Sequence, residues 1–243
     1  MLDRAARLSS IAGLVHGFTD REGGVSTGRY ASLDMGAKWG DELERVLENR
    51  RRVARAAGFD VARLRLVKQV HGTAVVRAIE AGDDTEADAL WCAREDGVVV
   101  GVLTADCVPV VIADRGGRVA AAVHSGWRGT VAGVVPQTIA ALVATGVAAS
   151  DLVAAIGPCI ERAAFEVGPE VADQFDAVDV DASGARPHVD LVAAVRAQLT
   201  GAGVAPTMIE RVGGCTHAHP DRWFSFRRDG AGIGQMLAFV GFA

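Results

Sequence analysis

The feature that most constrains the fold of this chain is a pair of short apolar runs near its middle. The runs cover residues 108–113 and 118–123, and Asp-Arg-Gly-Gly separates them. Runs of this length on either side of such a loop predict an antiparallel β-hairpin. A cysteine precedes the first run and a histidine follows the second, so polar side chains are expected at one end of a buried hairpin.

The register of this hairpin decides whether the thiol and the imidazole meet. In an antiparallel pair, each step back along one strand faces a step forward along the other. If Ala113 faces Arg118, Cys107 therefore lies opposite His124. Their Cβ atoms would then be about 5 Å apart. A two-residue turn at Gly116-Gly117 is the alternative, and it would shift the register and separate the two side chains.

Composition and charge exclude several classes of protein. The chain has 243 residues, half of them hydrophobic, and a formal net charge of −5. Because there is no basic surplus to neutralise phosphates, no nucleic-acid partner is expected. The sequence shows no signal peptide and no run approaching the roughly 18 apolar residues of a membrane span, so a cytoplasmic protein without a membrane partner is predicted. Its four cysteines form no CxxC and are expected to be reduced thiols or metal ligands.

The remaining pattern mixes strands and helices without a regular alternation. The opening, 16–36, is predicted to be a glycine-punctuated loop. Further strands are predicted at 63–69, 74–79, 97–104, 151–157, 207–213 and 234–242. Helices are predicted at 43–58, 129–146 (bent or restarted at Pro136), 168–175 and 190–203 (capped by Asp190 and Gly201). This order favours an α+β fold with mixed β-sheets flanked by helices, and no linker divides the single domain predicted over residues 1–243.

One arginine falls inside the apolar stripe of the first long helix. Asp41 is the expected N-cap of this helix and Gly58 its end. Arg50 lies in the middle of the stripe, which consists of Leu43, Val46, Leu47, Val53, Ala54 and Ala57. An inward guanidinium needs an anionic partner or a cavity. It is either a buried ion pair with an internal Asp or Glu, or an anchor for a phosphate or a sugar.

A second histidine completes a candidate metal site. His71 lies between two strand-like runs and is followed by glycine, as at a strand end. Together with Cys107 and His124 it forms a Cys-His-His set, which suits Zn²⁺ and leaves a fourth position open, as in catalytic sites. Two alternatives stay open. The residues are either packed strand ends, or Cys107 is a nucleophile with His124 as its base.

Two other polar segments attract attention. Trp127 and Arg128 follow at a strand-to-helix transition, where backbone N–H groups favour anions. Cys215, His217 and His219 have a ligand-like spacing, but the Pro-Asp that follows favours an exposed turn. Three familiar motifs are absent: H-E-x-x-H, the P-C-x-x-C of zinc deaminases and G-x-S-x-G.

Seven motifs in order resemble a known family. They are "HGFTDREGGVSTGRYASLDMG", "ENR", "KQVHG", "TADCVPV", "HSGWRG", "GPCI" and "FSFRRDG". Together they resemble the YfiH family, also called laccase-domain or polyphenol oxidase proteins, from about residue 15 to the end of the chain. The resemblance implies a YfiH-like fold, which is similar to that of a deamidating bacterial toxin with a Cys–His pair.

The resemblance also implies a function. Members bind zinc at the positions of His71, Cys107 and His124, and are described as purine nucleoside phosphorylases that act on adenosine, inosine and methylthioadenosine. Adenosine deaminase activity and a role in guarding peptidoglycan precursor composition have also been attached to members. The expected partners are therefore purine nucleosides and phosphate, and a monomer is favoured.

This sequence departs from the family pattern in places. Asp34 stands where the family usually has Asn, Ile233-Gly234-Gln235 replaces Thr-Gly-Arg, and Pro136 interrupts a normally regular helix. The name laccase is not supported by the residues. A trinuclear copper centre needs many H-x-H pairs, whereas six histidines here include one such pair, His217 and His219. Cu²⁺ can nevertheless occupy a Cys-His-His site, so a copper-dependent polyphenol oxidase is kept as an alternative.

The first hypothesis is thus a zinc-dependent purine nucleoside enzyme. Zinc lowers the pKa of a water to about 7, and the resulting hydroxide would attack C6 of adenosine. In phosphorolysis, zinc or Arg50 would hold phosphate near C1′, and Asp106 would assist departure of the base unless it only caps a strand end. The expected substrate-binding residues are Arg50, Gln69, Arg128 and Arg227.

The second hypothesis is a metal-free hydrolase that attacks an amide, in a wall precursor for example, with Cys107 and His124 as its catalytic residues. The third is a non-enzymatic metal-binding protein. Three protein ligands instead of four weigh against it.

Overall fold

Two β-sheets pack face to face, and helices cover both outer surfaces. This architecture is seen in a computed structural model that describes residues 1–82 and 84–243. Mixed sheets flanked by helices confirm the predicted α+β class. The extent of one domain over residues 1–243 stays a prediction.

The first sheet contains both ends of the chain. In the described residues it has five strands, in the order β1 (Leu2–Asp3), β2 (Leu14–Thr19), β13 (Met236–Phe242), β6 (Val99–Thr104) and β3 (Leu64–Arg65). β3 and β6 pair in parallel, and the other neighbours are antiparallel.

The second sheet is built around the central hairpin. Its six strands in the described residues are, in order, β12 (Ile209–Arg211), β9 (Leu152–Ile156), β7 (Val108–Asp114), β8 (Val119–Ser125), β5 (Ala89–Ala93) and β4 (Val75–Arg77). The two outer pairs are parallel and the inner pairs antiparallel. A separate ribbon pairs β10 (Val180–Asp181) with β11 (His188–Val189).

Helices cover the outer faces of the two sheets, and the short first helix packs against the apolar layer between them. The helices are α1 (Ala6–Ser9), α2 (Leu43–Ala57), α3 (Trp127–Ala132), α4 (Val134–Val143), α5 (Pro169–Ala172), α6 (Leu191–Gly201) and α7 (Phe226–Asp229). Single 3₁₀ turns occur at Gly28–Tyr30, Val61–Arg63, Ala78–Glu80, Arg94–Asp96, Ala149–Asp151, Arg162–Ala164, Ala177–Asp179 and Pro206–Met208. In the part of the chain described, no helix combines the length and the apolar character needed to cross a membrane.

Three apolar layers hold these elements together. α2 packs on the outer face of the first sheet, and α4 and α6 pack on the outer face of the second. The layer between the sheets consists mainly of small and β-branched side chains, including Val111, Ala120, Ala122, Val240 and Ala155. Small side chains let the two sheets approach closely, and the burial of each Val or Ile contributes about 1.5–3 kcal/mol.

The hairpin is present, but the predicted register is wrong. Pro109, not Cys107, lies opposite His124, and Val108 lies opposite Ser125. The cause is Asp114, whose carboxylate accepts hydrogen bonds from the N–H groups that begin the returning strand and extends the first strand by one residue. Cys107 therefore lies in the turn that precedes β7.

The first long helix also differs from its prediction. Its N-cap is Glu42 without a side-chain cap, because the Asp41 carboxylate instead accepts the Ser26 hydroxyl at 2.5 Å. Leu43 and Leu47 are 59% and 37% exposed. The buried face is Val46, Asn49, Val53, Ala54 and Ala57. Gly58 ends the helix in the left-handed conformation, as predicted.

Other boundaries are explained by local geometry. The helix predicted at 129–146 restarts at Gly133, whose φ of +85° suits glycine, and not at Pro136, which lies in the first turn of α4. Asp190 caps α6 as predicted, whereas Gly201 is its last residue and not its cap. The opening is not all loop, since it contains most of β2. The prediction also missed β5.

Candidate metal centre and adjoining cavity

Three predicted ligands meet at one end of the second sheet. His71 lies in the loop before β4, Cys107 in the turn between β6 and β7, and His124 near the end of β8. Their ligating atoms all lie within 4.8 Å of one another. Among residues 1–82 and 84–243, this is the one group of three or more His, Cys, Asp or Glu side chains that could hold a metal ion in this way.

A strained turn presents Cys107. The residue before it, Asp106, has a φ of 94°, which is rare for a residue with a side chain. The Asp106 carboxylate accepts hydrogen bonds from the Thr216 hydroxyl at 2.5 Å, the Ser225 hydroxyl at 3.1 Å and the Arg227 N–H at 2.6 Å. These bonds tie the turn to the C-terminal segment and fix the place of the thiol.

A buried carboxylate, Asp88, holds both histidine segments. Its Oδ1 lies 2.7 Å from His124 Nδ1 and accepts the N–H of His71 at 2.9 Å. Its Oδ2 accepts the N–H of Gly72 at 2.6 Å. Because Nδ1 of His124 is engaged by Asp88, the other ring nitrogen is the one available to a metal ion. Asp88 was not among the site residues predicted from the sequence. Its place directly before the apolar run of β5 is its one distinguishing signal, since Asp84 and Glu86 precede it in the same acidic stretch.

The charges of the site support one another. Burial raises the pKa of Cys107, but the charge and hydrogen bond of His124, aided by His71, outweigh it and lower that pKa to about 6. Burial lowers the pKa of His124, but Cys107 and Asp88 outweigh it and raise that pKa to about 9. Burial also raises the pKa of Asp88, and its hydrogen bond to His124 reverses the direction. The site thus favours a thiolate, which is the form of cysteine that binds metals.

The backbone leaves room beside the ligands. A Cβ atom placed on Gly126 would lie 2.8 Å from His71 Nδ1 and 3.1 Å from Cys107 Sγ. Only glycine therefore fits at the start of α3 without displacing a ligand. One thiolate and two imidazoles suit zinc or copper, and three protein ligands leave a coordination position for a substrate or water. The residues present fit a metal ion.

The three ligands lie on the wall of a large cavity. Its volume is about 1180 Å³. The charged residues that line it are six cations, Lys38, Arg50, Lys68, Arg128, Arg186 and Arg227, and two acids, Asp106 and Glu166. This cationic excess contrasts with the chain's net charge of −5. A cavity of this sign attracts anions.

Two predicted substrate-binding residues have fixed positions on the wall. Arg50 donates through Nε and Nη2 to the Met35 carbonyl, at 3.0 and 2.8 Å. Gln69 forms two hydrogen bonds with the backbone of Leu103, one from its amide nitrogen and one to its amide oxygen. Arg50 therefore faces the cavity from α2 with its guanidinium held in place, and Gln69 holds its loop against β6.

The other two lie beside aromatic rings. The Arg128 guanidinium carbon is 4.2 Å from the centre of the Trp127 ring. Arg227 donates to the carbonyls of Ala164 and Glu166, and its guanidinium carbon is 5.2 Å from the centre of the Phe165 ring. Arg128 is exposed at the rim, whereas Arg227 links two walls of the cavity.

An aromatic pair that was not predicted from the sequence also lines the cavity. Trp39 and Phe226 have ring centres 5.7 Å apart at an angle of 40°. Trp39 precedes α2 and Phe226 begins α7, so only the tertiary fold brings them together. By contrast, Cys215, His217 and His219 belong to no metal-binding group in the described residues.

Comparisons with known proteins find relatives that match nearly the whole chain. A family described as "Multi-copper polyphenol oxidoreductase laccase" matches residues 15–243. A protein of Deinococcus radiodurans named purine nucleoside phosphorylase is 40% identical over 93% of this chain and 88% of its own length. Purine nucleoside phosphorylase YfiH of Escherichia coli K12 is 39% identical over 90% of each chain.

Solved structures share the fold. YlmD from Geobacillus stearothermophilus has a TM-score of 0.89 and 31% identity, with 98% of this chain and 94% of that chain covered. Neisseria meningitidis protein NMB0706 has a TM-score of 0.88 and 36% identity, with 100% and 98% covered. The match therefore extends over nearly the whole architecture.

Proposed function

The chain belongs to the multi-copper polyphenol oxidoreductase laccase family, which includes proteins named YfiH, and on this premise we propose that it is a zinc-dependent purine nucleoside phosphorylase. Its substrates are adenosine, inosine and methylthioadenosine together with phosphate, and its products are the base and ribose 1-phosphate. Adenosine deamination is a second activity of the same site. The observation that carries the proposal is the meeting of His71, Cys107 and His124 on the wall of a cationic cavity.

The protein's contribution at the metal is to hold the ligands. His71, Cys107 and His124 would bind the ion, and Asp88 would orient His124. When bound there, zinc supplies Lewis-acid chemistry next to the cavity. A single group of ligands in the described residues favours one metal ion over a multi-copper centre, so polyphenol oxidation by copper in this site is the weaker proposal.

Arg50 is the proposed phosphate anchor. Two of its N–H donors are held by the Met35 carbonyl, which fixes the guanidinium at the cavity wall. A guanidinium fixed in this way binds phosphate with little loss of side-chain freedom. Arg128, at the rim, adds positive charge along the path of entry.

The aromatic pair is the proposed contact for the base. A purine ring stacks on aromatic side chains, and each stacked base contributes about 1–3 kcal/mol. Trp39 and Phe226 both line the cavity, so they are suited to this role. Gln69 and Arg227 act by holding the cavity walls, since their polar atoms bond backbone groups.

Asp106 is proposed to assist departure of the base through the turn it controls. Its carboxylate already accepts three hydrogen bonds. Because these bonds already engage both carboxylate oxygens, Asp106 is suited to positioning the turn rather than to direct contact with the substrate.

A second function is favoured by one observation. Cys107, His124 and Asp88 form a thiol, imidazole and carboxylate arrangement like that of cysteine hydrolases, with the imidazole oriented by the carboxylate. The alternative proposal is therefore a metal-free hydrolase that cleaves an amide in a wall precursor. Its site would be similar to the Cys–His pair of the deamidating bacterial toxin. His71 distinguishes the two proposed functions, because a Cys107–His124 hydrolase needs no second histidine, whereas the zinc site does.

The test compares metal content with thiol reactivity. The protein is purified without a nickel column, its metal content is measured, and it is treated with iodoacetamide before and after a chelator. The proposal expects about one zinc per chain and alkylation of Cys107 only after chelation. Rapid alkylation of Cys107 in the protein as isolated, with amide hydrolysis that survives the chelator, would establish the alternative.

A further inference from the structure

Beneath the proposed phosphate anchor lies a buried carboxylate with one oxygen left unpaired. Asp34 is 0% exposed. Its Oδ1 accepts the N–H groups of Gly36 at 2.9 Å and Gln235 at 2.8 Å. Its Oδ2 is buried and has no hydrogen-bond partner among the residues that the structure describes. An ionised carboxylate is costly in this position, because half of its charge is left without a donor.

The same segment holds Arg50. The Asp34 carbonyl accepts a hydrogen bond from the Asn49 amide at 2.8 Å, and the next carbonyl, that of Met35, accepts two from Arg50. Asn49 and Arg50 are neighbours on α2. Hydrogen bonds therefore connect the segment that holds the Asp34 carboxyl group to the part of α2 that holds the Arg50 guanidinium.

Burial and the groups around Asp34 shift its pKa in opposite directions. Burial raises the pKa of Asp34 to about 7, the two N–H bonds from Gly36 and Gln235 oppose this, the charge of Asp41 adds to it, and the charge of Arg50 opposes it. A carboxyl group in this position exchanges its proton near neutral pH. Because Arg50 acts on Asp34, Asp34 acts equally on Arg50.

We infer that Asp34 is a positioning residue that works through Arg50: while Asp34 keeps its proton, the charge of Arg50 acts in full on an anion in the cavity, and loss of the proton adds a negative charge nearby that weakens this attraction. The inference rests on the proposed function, in which Arg50 binds phosphate. It assigns to Asp34 the control of anion affinity by pH. Affinity is high when Asp34 is neutral and falls as pH rises through the range in which it ionises.

The probe is sulfate, because inorganic phosphate itself titrates near neutral pH. The affinity of the metal-loaded protein for sulfate is measured by calorimetry at about pH 6 and about pH 8.5. In the wild-type protein we expect the affinity for sulfate to be roughly tenfold lower at the higher pH, because one charge-assisted contact is weakened. The side chain of Asp34→Asn is neutral at both pH values, so this decrease in affinity should be absent. At the higher pH, the variant should bind sulfate about as tightly as the wild-type protein does at the lower pH.

Two further variants separate the possible failures. Asp41→Asn removes a carboxylate whose charge also acts on Asp34. The affinity of this variant for sulfate should still fall as pH rises. If Arg50→Ala binds sulfate as the wild type does, the anchor role in the proposed function fails. If Arg50→Ala loses binding but Asp34→Asn declines with pH as the wild type does, the inference about Asp34 fails alone.

A measurement on the wild-type protein keeps the inference testable if Asp34→Asn does not fold. Carbon-13 spectra of protein labelled at the aspartate carboxyl groups should contain one resonance that titrates near neutral pH. A set of aspartate resonances that all titrate below about pH 5 would overturn the inference, as would sulfate affinity that is unchanged between the two pH values.

Discussion

The carboxylate of Asp88 lies 2.7 Å from Nδ1 of His124, and the same oxygen atom accepts the backbone N–H of His71. One buried side chain thus holds two of the three proposed metal ligands. It orients a ring in one case and a loop in the other. The proposed centre depends as much on this carboxylate as on the ligands themselves.

Asp88→Asn should weaken metal binding without removing a ligand. An Asn side chain keeps the shape but offers an N–H₂ group or a weaker acceptor to His124, so affinity for zinc should fall about 10- to 100-fold. Competition with a chelator of known affinity measures the change. Asp96→Asn is the matched control, since Asp96 is also buried and bonds Arg77 away from the ligands. Equal zinc affinity in Asp88→Asn and the wild type would contradict this role.

Gly126→Ala should displace a ligand by steric contact. The added Cβ would lie 2.8 Å from His71 Nδ1, closer than van der Waals contact allows, so zinc content should fall well below one per chain. Elemental analysis of the purified variant measures it. Gly201→Ala is the control, because a Cβ there meets nothing within 4 Å and should leave zinc content unchanged. A fully loaded Gly126→Ala protein would show that the site needs no such space.

Arg50→Ala should separate phosphorolysis from metal binding. Loss of a charge-assisted contact to a desolvated partner costs about 2–5 kcal/mol, which corresponds to roughly 30-fold or more in rate. Zinc should stay bound, and adenosine deamination, which needs no phosphate, should fall less. Initial rates by chromatography measure both reactions, with the exposed neighbour Arg51→Ala as control. Unchanged phosphorolysis in folded, zinc-loaded Arg50→Ala would refute the anchor, and equal loss of both reactions with a lower Tm would indicate a structural role.

Asp34 should make the protein less stable as pH rises. Its pKa is raised in the folded protein from 3.8 to about 7, so the folded state holds a proton that the unfolded state has released between these values. Stability from this group is therefore complete below about pH 4 and is lost as pH rises to about 7. The free energy of unfolding of Asp34→Asn relative to the wild type should increase by about 2–3 kcal/mol between about pH 5 and pH 8. A difference that does not change with pH in urea titrations would show that Asp34 is ionised throughout.

The fold class and the proposed ligands could be predicted from the sequence because both depend on local pattern. Apolar runs marked the hairpin, and the polar residues at their ends marked the site. The register could not be predicted, since it depends on hydrogen bonds from the side chain of Asp114. β2 was missed because His16 and Gly17 interrupt its apolar residues, so the segment shows no strand-like alternation.

The residues that surround the ligands could not be predicted from the sequence, because only the tertiary fold brings them to the site. Asp88 meets His124 across 36 residues, and Trp39 meets Phe226 only through the tertiary fold. The inward position of Arg50 was predicted from the helix period. Its hydrogen bonds to the Met35 carbonyl were not, because a backbone carbonyl has no sequence signal.

The central claim is metal-dependent phosphorolysis, and inosine tests it most directly because it has no amino group at C6 to lose. Zinc-loaded protein is incubated with inosine with and without phosphate, and the products are separated by chromatography. The account predicts hypoxanthine and ribose 1-phosphate in equal amounts, formed only with phosphate and lost when a chelator removes the metal. No hypoxanthine from fully loaded protein, or hypoxanthine formation that survives metal removal, would contradict it.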